Sequence, residues 1–359
     1  MSVHEILIAI MAGFAILGAL DRIFGNKIGL GQEFENGILA MGSLAMAMIG
    51  IICLAPVLAS ILKPVVVPVY NFLGADGAMF AGTILACDMG GGSLAQELTN
   101  DSQAALLGGV ITGSMLGATI VFTIPVAMGI LQEEDRPQLA KGILCGVVTI
   151  PIGVLVGGLV AGFPLLMVLR NLIPIVLIAL LIAVGLWKWE KLMIKGFGLF
   201  GKGIIALITI GLVAAIVEAL TGFAIIPGLT PISEGFETVG AIAIVLAGAF
   251  PLVYAITKLL KKPLLKLGKL LGINDTAAAG LVASLANSIA TFDMMKNMDQ
   301  RGKVVNVAFA VSAAFVFGDH MGYTAGFAPE MLPAVILGKL AGGITAVVIA
   351  LLLTRKEKA

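Results

Sequence analysis

Five glycines of this 359-residue chain, Gly37, Gly42, Gly50, Gly74 and Gly82, return 198 positions later as Gly235, Gly240, Gly248, Gly272 and Gly280. Glycine is roughly one residue in eight, so chance supplies about one such match among the glycines of that stretch. The chain therefore reads as two copies of one unit. Because these glycines sit inside long apolar stretches, the doubled unit belongs in a membrane, where paired repeats commonly build a transport path at their interface.

Composition points the same way. Hydrophobic residues make up 59%, charged residues 12%, and mean hydropathy is +1.10, against about 25% charged in an average soluble chain. The reading is an all-α polytopic membrane protein. A net charge of +1 argues against a nucleic-acid partner. Cys53, Cys87 and Cys145 lie singly in apolar segments without disulfide or metal spacing, so no cofactor or metal is expected. The N-terminus has no basic region before its apolar run and carries His4 and Glu5, so the first apolar segment is expected to stay as a span.

Stretches long enough to cross a core of about 30 Å give about nine spans, near 5–20, 37–62, 103–131, 138–162, 164–187, 200–220, 238–260, 303–320 and 332–354. Residues 77–98 (GAMFAGTILACDMGGGSLAQEL) and 276–296 (TAAAGLVASLANSIATFDMMK) are apolar but interrupted, and each could cross or dip in and return. Basic residues arbitrate. With both segments returning and Arg355, Lys356 and Lys358 inside, the clusters at Lys188–Lys202, Lys258, Lys261, Lys262, Lys266, Lys269 and Lys296–Lys303 all fall on the cytoplasmic side, leaving Lys63 alone outside. Arg170 and Lys339 fall in or near spans. Letting 276–296 cross would place a basic cluster outside, against the positive-inside rule. For 77–98 the same reading follows by symmetry and from Gly90-Gly91-Gly92, which breaks a helix.

Five crossings then separate equivalent spans, so the second copy is inverted, with the N-terminus out and the C-terminus in. The organisation expected is a first repeat at 1–162, a linking helix and basic loop at 163–199, and a second repeat at 200–359. The two re-entrant or broken segments should meet around a central site, because irregular backbone at membrane depth needs protein or water to satisfy it. The alternative is a pair of ordinary buried helices with tolerated polar residues.

A carboxylate at the bilayer centre costs about 2.5–3.5 kcal/mol even on the lenient insertion scale, so each needs a partner or a purpose. Asp88 precedes the three glycines and has no basic neighbour in sequence, while Ser93 and Gln96 follow on the same segment. In the other half a helix would present Asn287 and Thr291 on one face, with Asp293 around the next turn. Asp319 and His320 stand together in FVFGDHMGYTAG, with Tyr323 close by as a cation–π face. Structural readings compete: Asp293 can pair with Lys296, and Asp319-His320 can close a helix end. Glu97 and Glu218 form a second tier at the outer boundary. The candidate substrate-binding set is Asp88, Ser93, Gln96, Asn287, Thr291, Asp293, Asp319, His320 and Tyr323, a lining of carboxylates, amides and hydroxyls without a basic clamp. It favours a small cationic or polar solute over an anion. The Lys258–Lys269 cluster reads as a topology determinant meeting anionic lipid.

The stretch NSIATFDMMKNMDQRGKVVNVAFAVSAAFVFGDHMGYTAG (287–326), together with ACDMGGGSLAQEL, closely resembles the ethanolamine permeases of bacterial ethanolamine-utilisation operons, the EutH family. The resemblance covers nearly the whole chain. It implies uptake of ethanolamine across the bacterial cytoplasmic membrane, feeding a cobalamin-dependent lyase elsewhere in the pathway, and assigns no ligand residues. A facilitator that equilibrates protonated ethanolamine is the expected function, with a proton- or cation-coupled carrier of another small amine or polar solute as the alternative. Only His4 and His320 are present, and no HExxH, GxSxG or P-loop signature occurs, which argues against an intramembrane enzyme and against ATP-driven transport. A homodimer is a possible assembly. With the last span ending near residue 354, no appended soluble domain is expected.

Overall fold

In a computed structural model, residues 2–355 are described, apart from the side chains of Leu260, Lys261, Lys262, Leu264, Leu265, Leu267 and Lys269. Of the basic residues that set the expected topology, Lys261, Lys262, Lys269, Lys356 and Lys358 thus lie outside the described residues. Among those described, the chain is helical throughout with no strand. Large apolar side chains such as Ile16, Leu39, Ile61, Leu181, Leu220 and Ile244 face outward along the long helices. A surface this apolar is stable only against lipid or another apolar body.

The first half runs α1 (Val3–Ile23), α2 (Leu30–Phe72), α3 (Met79–Ile84), α4 (Gly91–Leu98), α5 (Ser102–Ala105), a widened π-helical stretch over Leu106–Gly117 and Thr119–Thr123, α6 (Ile124–Ile130), α7 (Arg136–Val147) and α8 (Ile150–Val160). The rest is α9 (Leu165–Thr221), α10 (Ile232–Leu271), α11 (Asp275–Ala286), α12 (Ser288–Met294), α13 (Gln300–Ala313), α14 (Asp319–Phe327) and α15 (Leu332–Leu353).

Among the described residues, seven helices are long and apolar enough to cross a membrane, against nine spans expected. Two local features account for the difference. The spans expected at 164–187 and 200–220 are joined in α9, bent at Trp189, whose backbone leaves the helical region (φ −135°, ψ 46°). The span expected at 303–320 stops at Ala313, and the chain turns through Phe315 at φ +62° before α14 begins. The amides freed there find partners: Phe315 N–H donates to the Ser284 carbonyl (3.0 Å) and Phe317 N–H to that of Leu285 (2.9 Å). The interruption of one segment thereby satisfies the interruption of the other, as backbone inside a membrane must.

The glycine offset reappears as contacts. Gly74 and Gly272 both take left-handed φ, +76° and +67°, just after the long helices α2 and α10, a conformation that costs a side-chain-bearing residue about 1 kcal/mol or more. A Cβ on Gly50 would overlap the Ile208 carbonyl of α9, and one on Gly248 would overlap the Met11 carbonyl of α1. Gly82 sits against Gly108, and Gly280 against Asn306, again 198 residues on. Nothing in the structure explains Gly42 and Gly240, which have open space around them.

Each interrupted segment has its two ends side by side. Thr99 donates its hydroxyl hydrogen to the Asp76 carboxylate (2.8 Å). At the matching positions, Asn274 Nδ2 donates to the Asn297 carbonyl (3.0 Å), and its backbone N–H donates to Asp299 (2.8 Å).

A buried ion pair joins α13 to the turn before α7: Lys303 Nζ lies 2.5 Å from Asp135 Oδ1, with both side chains under a tenth exposed. Removing one member of such a pair costs about 3–5 kcal/mol, because the other charge stays buried and unpaired. Lys303→Met is therefore expected to lower the thermal unfolding temperature in detergent sharply. Adding Asp135→Leu should recover most of the loss.

Candidate functional site

A cavity of about 790 Å³ opens between α2, the interruption between α3 and α4 at 85–90, α6, the second part of α9 and the start of α14. That is a volume suited to a small ligand and its water. Its walls are largely apolar, with Leu44, Val121, Phe122, Val126 and Phe315 among them. Lys195 and Lys202 stand exposed at its mouth, and Asp88, Asp319 and His320 form its deep polar end.

Local sequence places each of these groups. After α3 the backbone extends at Leu85 and Ala86, turns through Cys87–Met89, and reverses at Gly90 with φ +88° before α4. Asp88 therefore projects from a turn instead of stacking along a helix wall. Asp319 is the first residue of α14, where the unpaired amides of a helix start favour a negative charge. His320 follows, 3% exposed, with its ring 5.2 Å from that of Phe315.

His320 Nε2 lies 3.7 Å from Asp88 Oδ1. Its other nitrogen, Nδ1, faces Lys339 Nζ of α15 at 3.0 Å, and that ammonium also donates to the Ser114 carbonyl at 2.5 Å. An ammonium has donors and no acceptor, so Nδ1 accepts and the ring proton is assigned to Nε2, on the side of Asp88. The order is ammonium, imidazole, carboxylate. Asp88 Oδ1 makes no hydrogen bond to the protein, and neither does the hydroxyl of Tyr323. Tyr323 is buried, stacked on Phe327 at 4.9 Å, and its hydroxyl lies where a Cβ on Gly92 would stand.

The structure thus brings together Asp88, Asp319 and His320, with Tyr323 one turn further along α14. It does not bring the other expected residues to this cavity. Ser93 is half-buried on α4 and Gln96 is exposed; neither lines the cavity. Asn287 does not continue a helix but breaks one (φ −156°), and its Oδ1 caps α12 by accepting from the Ile289 N–H at 2.7 Å. Thr291 is fully buried and spends its hydroxyl on Ser284 (2.8 Å) and the Gly280 carbonyl (2.9 Å). Asp293 is 71% exposed and pairs with Lys296 at 3.4 Å. The shared face expected of Asn287, Thr291 and Asp293 is lost because the helix is interrupted at the first of them.

Sequence reasoning missed Lys339. It is the one basic residue inside the run LPAVILGKLAGGITAVVIALLL, and that isolation was the available signal. A ligand atom from each of Cys87, Asp88 and His320 lies within 4.8 Å of the others, a donor set able to grip a soft cation. The Lys339 ammonium on the far nitrogen of the same imidazole opposes a divalent ion there, so these residues are assigned no metal.

A multi-helix membrane protein with an apolar cavity that ends in two carboxylates and an imidazole is the class that fold and site define. The comparisons narrow this class. Residues 3–353 match the family described as "Ethanolamine utilisation protein, EutH", and the chain belongs to that family. It is 61% identical to the "Probable ethanolamine permease EutH" of Listeria monocytogenes over 99% of this chain and 95% of that protein. It is 48% identical to the protein of the same description from Escherichia coli K12, over 100% of this chain and 97% of that one. An "Uncharacterized protein YxeR" of Bacillus subtilis is 52% identical over a similar extent. No solved structure matches the chain.

Proposed function

We propose that this protein is a permease of the bacterial cytoplasmic membrane that carries protonated ethanolamine by facilitated diffusion. Its permease relatives support the cargo. The observation that carries the site is Asp88 Oδ1, a carboxylate oxygen at the closed end of an apolar cavity with no protein hydrogen-bond donor. A buried charge so placed is costly until an ammonium reaches it. Ethanolamine supplies that ammonium, with a hydroxyl two carbons away for Asp319 or His320.

The arrangement in the membrane is read as an inverted repeat, N-terminus out and C-terminus in, with the two interrupted segments re-entrant and divisions at 1–162, 163–199 and 200–359. The contacts that recur at 198 residues and the paired ends of each interrupted segment support it. So do two local contacts between segments expected on the cytoplasmic side: Lys258 Nζ donates to the Ile28 carbonyl (3.3 Å), and Lys141, Trp187 and Thr354 line one small pocket. The main cavity then faces the cytoplasm, since Lys195 and Lys202 mark its mouth.

The repeats also support a carrier over a fixed pore. Leu44 and Met128 stand on the walls of the cavity. Their counterparts, Ile242 and Gly326, are packed together: a Cβ on Gly326 would fall 2.9 Å from the Ile242 side chain and 3.1 Å from its backbone nitrogen. One seam is open and its equivalent is closed, which is what exchange of the two conformations between repeats needs.

Labelled ethanolamine uptake into proteoliposomes, corrected for protein-free vesicles, tests the proposal. Expected are saturation, acceleration by unlabelled ethanolamine on the far side, and no dependence of the protein-borne component on an imposed pH gradient. The imidazole between Asp88 and Lys339 is the observation that favours proton coupling, and dependence on the gradient would select that reading instead.

A further inference from the structure

Lys339 is 1% exposed in an apolar helix, and the carrier scheme gives it no task. Its two close partners, the Ser114 carbonyl and His320 Nδ1, are neutral acceptors that leave its charge unbalanced. Among the described residues, the formal charges facing the same deep end are Asp88, beyond the other imidazole nitrogen at 3.7 Å, and Asp319, next to His320 in the chain and on the same cavity wall. Lys195 and Lys202 lie at the mouth, exposed, where water and salt screen them. Two carboxylates against one ammonium leave a single negative charge.

We propose that Lys339 sets the valence of the cargo: it offsets one carboxylate, so that the site complements one monovalent ammonium and disfavours a dication. His320 is part of the device. Lys339 stands on one ring nitrogen and Asp88 beyond the other, so Asp88 Oδ1 keeps its lone pairs for the cargo. A resident cation also removes the need for a second, co-transported one, which fits uncoupled transport. The inference rests on reading the cavity as an amine site and extends it to selectivity.

Ethylenediamine has the length of ethanolamine with a second amine in place of the hydroxyl, so at mildly acidic pH the two differ chiefly in charge. Proteoliposome uptake of labelled ethanolamine, with unlabelled ethanolamine or ethylenediamine as competitor, is the experiment. In the wild type, ethylenediamine should compete at least about tenfold more weakly than ethanolamine, like charges placed close together being strongly disfavoured. Lys339→Met should reverse that order, and Lys339→Met with Asp319→Asn, which restores the single negative charge, should return it to the wild-type order. A folded Lys339→Met that keeps the wild-type order would overturn the proposal, as would a folded double variant that fails to recover it. If Lys339→Met alone does not fold, the charge-balanced double variant should fold and prefer ethanolamine, and its failure to do so counts against the proposal equally. A wild type that takes up no ethanolamine would instead remove the amine-site reading itself.

Discussion

Asp88→Asn is expected to cut saturable ethanolamine uptake roughly 30-fold or more while membrane abundance stays near wild type, because a buried charge partner is worth about 2–5 kcal/mol to the charge it faces. The substitution keeps the shape of the side chain and removes its charge. The fold should tolerate it: Asp88 Oδ1 holds no protein donor, so no folded-state hydrogen bond of that oxygen is lost. Neutralising a carboxylate that already lies in a cavity against an imidazole is more apt to relieve the folded state than to strain it. Asp293→Asn serves as the contrast, since that carboxylate is exposed and paired with Lys296 on the surface, a bond worth about 0–1 kcal/mol. Uptake should change less than about twofold there. Equal losses in the two variants would mean that the cavity is not where the amine is held.

A second result of similar size concerns the closed seam. Cysteines at Ile242 and Gly326 stand close enough to be bridged, since a Cβ built on Gly326 meets the backbone of Ile242. Oxidising Ile242→Cys with Gly326→Cys should stop uptake almost completely, and a reductant should restore it. The native Cys53, Cys87 and Cys145 are free and buried, so they add little background. The repeat mates supply the complementary experiment. Leu44 and Met128 both line the open cavity, and Leu44→Cys with Met128→Cys should cross-link only when that seam closes during turnover. Transport that persists through an oxidised 242–326 bridge would establish a path that needs no exchange between repeats.

The all-helical, membrane-spanning character was legible in the sequence because membranes restrict what apolar helices can do. The offset of 198 emerges again in Gly74 and Gly272 as left-handed turns, and in Gly50 and Gly248 as points where another helix's backbone comes too close for a Cβ. What was not legible lacked a local mark. Trp189 bends α9 without proline or glycine at the bend, and Phe315 takes φ +62° in the apolar run AAFVF, where propensity argues for a continuous span. In the site, Asp88 announced itself as a carboxylate ahead of three glycines. Asp293 looked equivalent on spacing, and only the exposure of its side chain shows that water and Lys296 already satisfy it. Lys339 was hidden for a different reason: its partners His320 and Ser114 are 19 and 225 residues away, and hydropathy records the cost of a buried lysine without naming what offsets it.

Binding, separated from translocation, is the most direct trial of the Asp88 site. Equilibrium binding of labelled ethanolamine to the purified protein in detergent should be saturable and displaced by unlabelled ethanolamine in the wild type. In Asp88→Asn of matching elution profile and thermal stability, the affinity should fall by roughly 30-fold or more. Unchanged affinity in that variant would contradict the account.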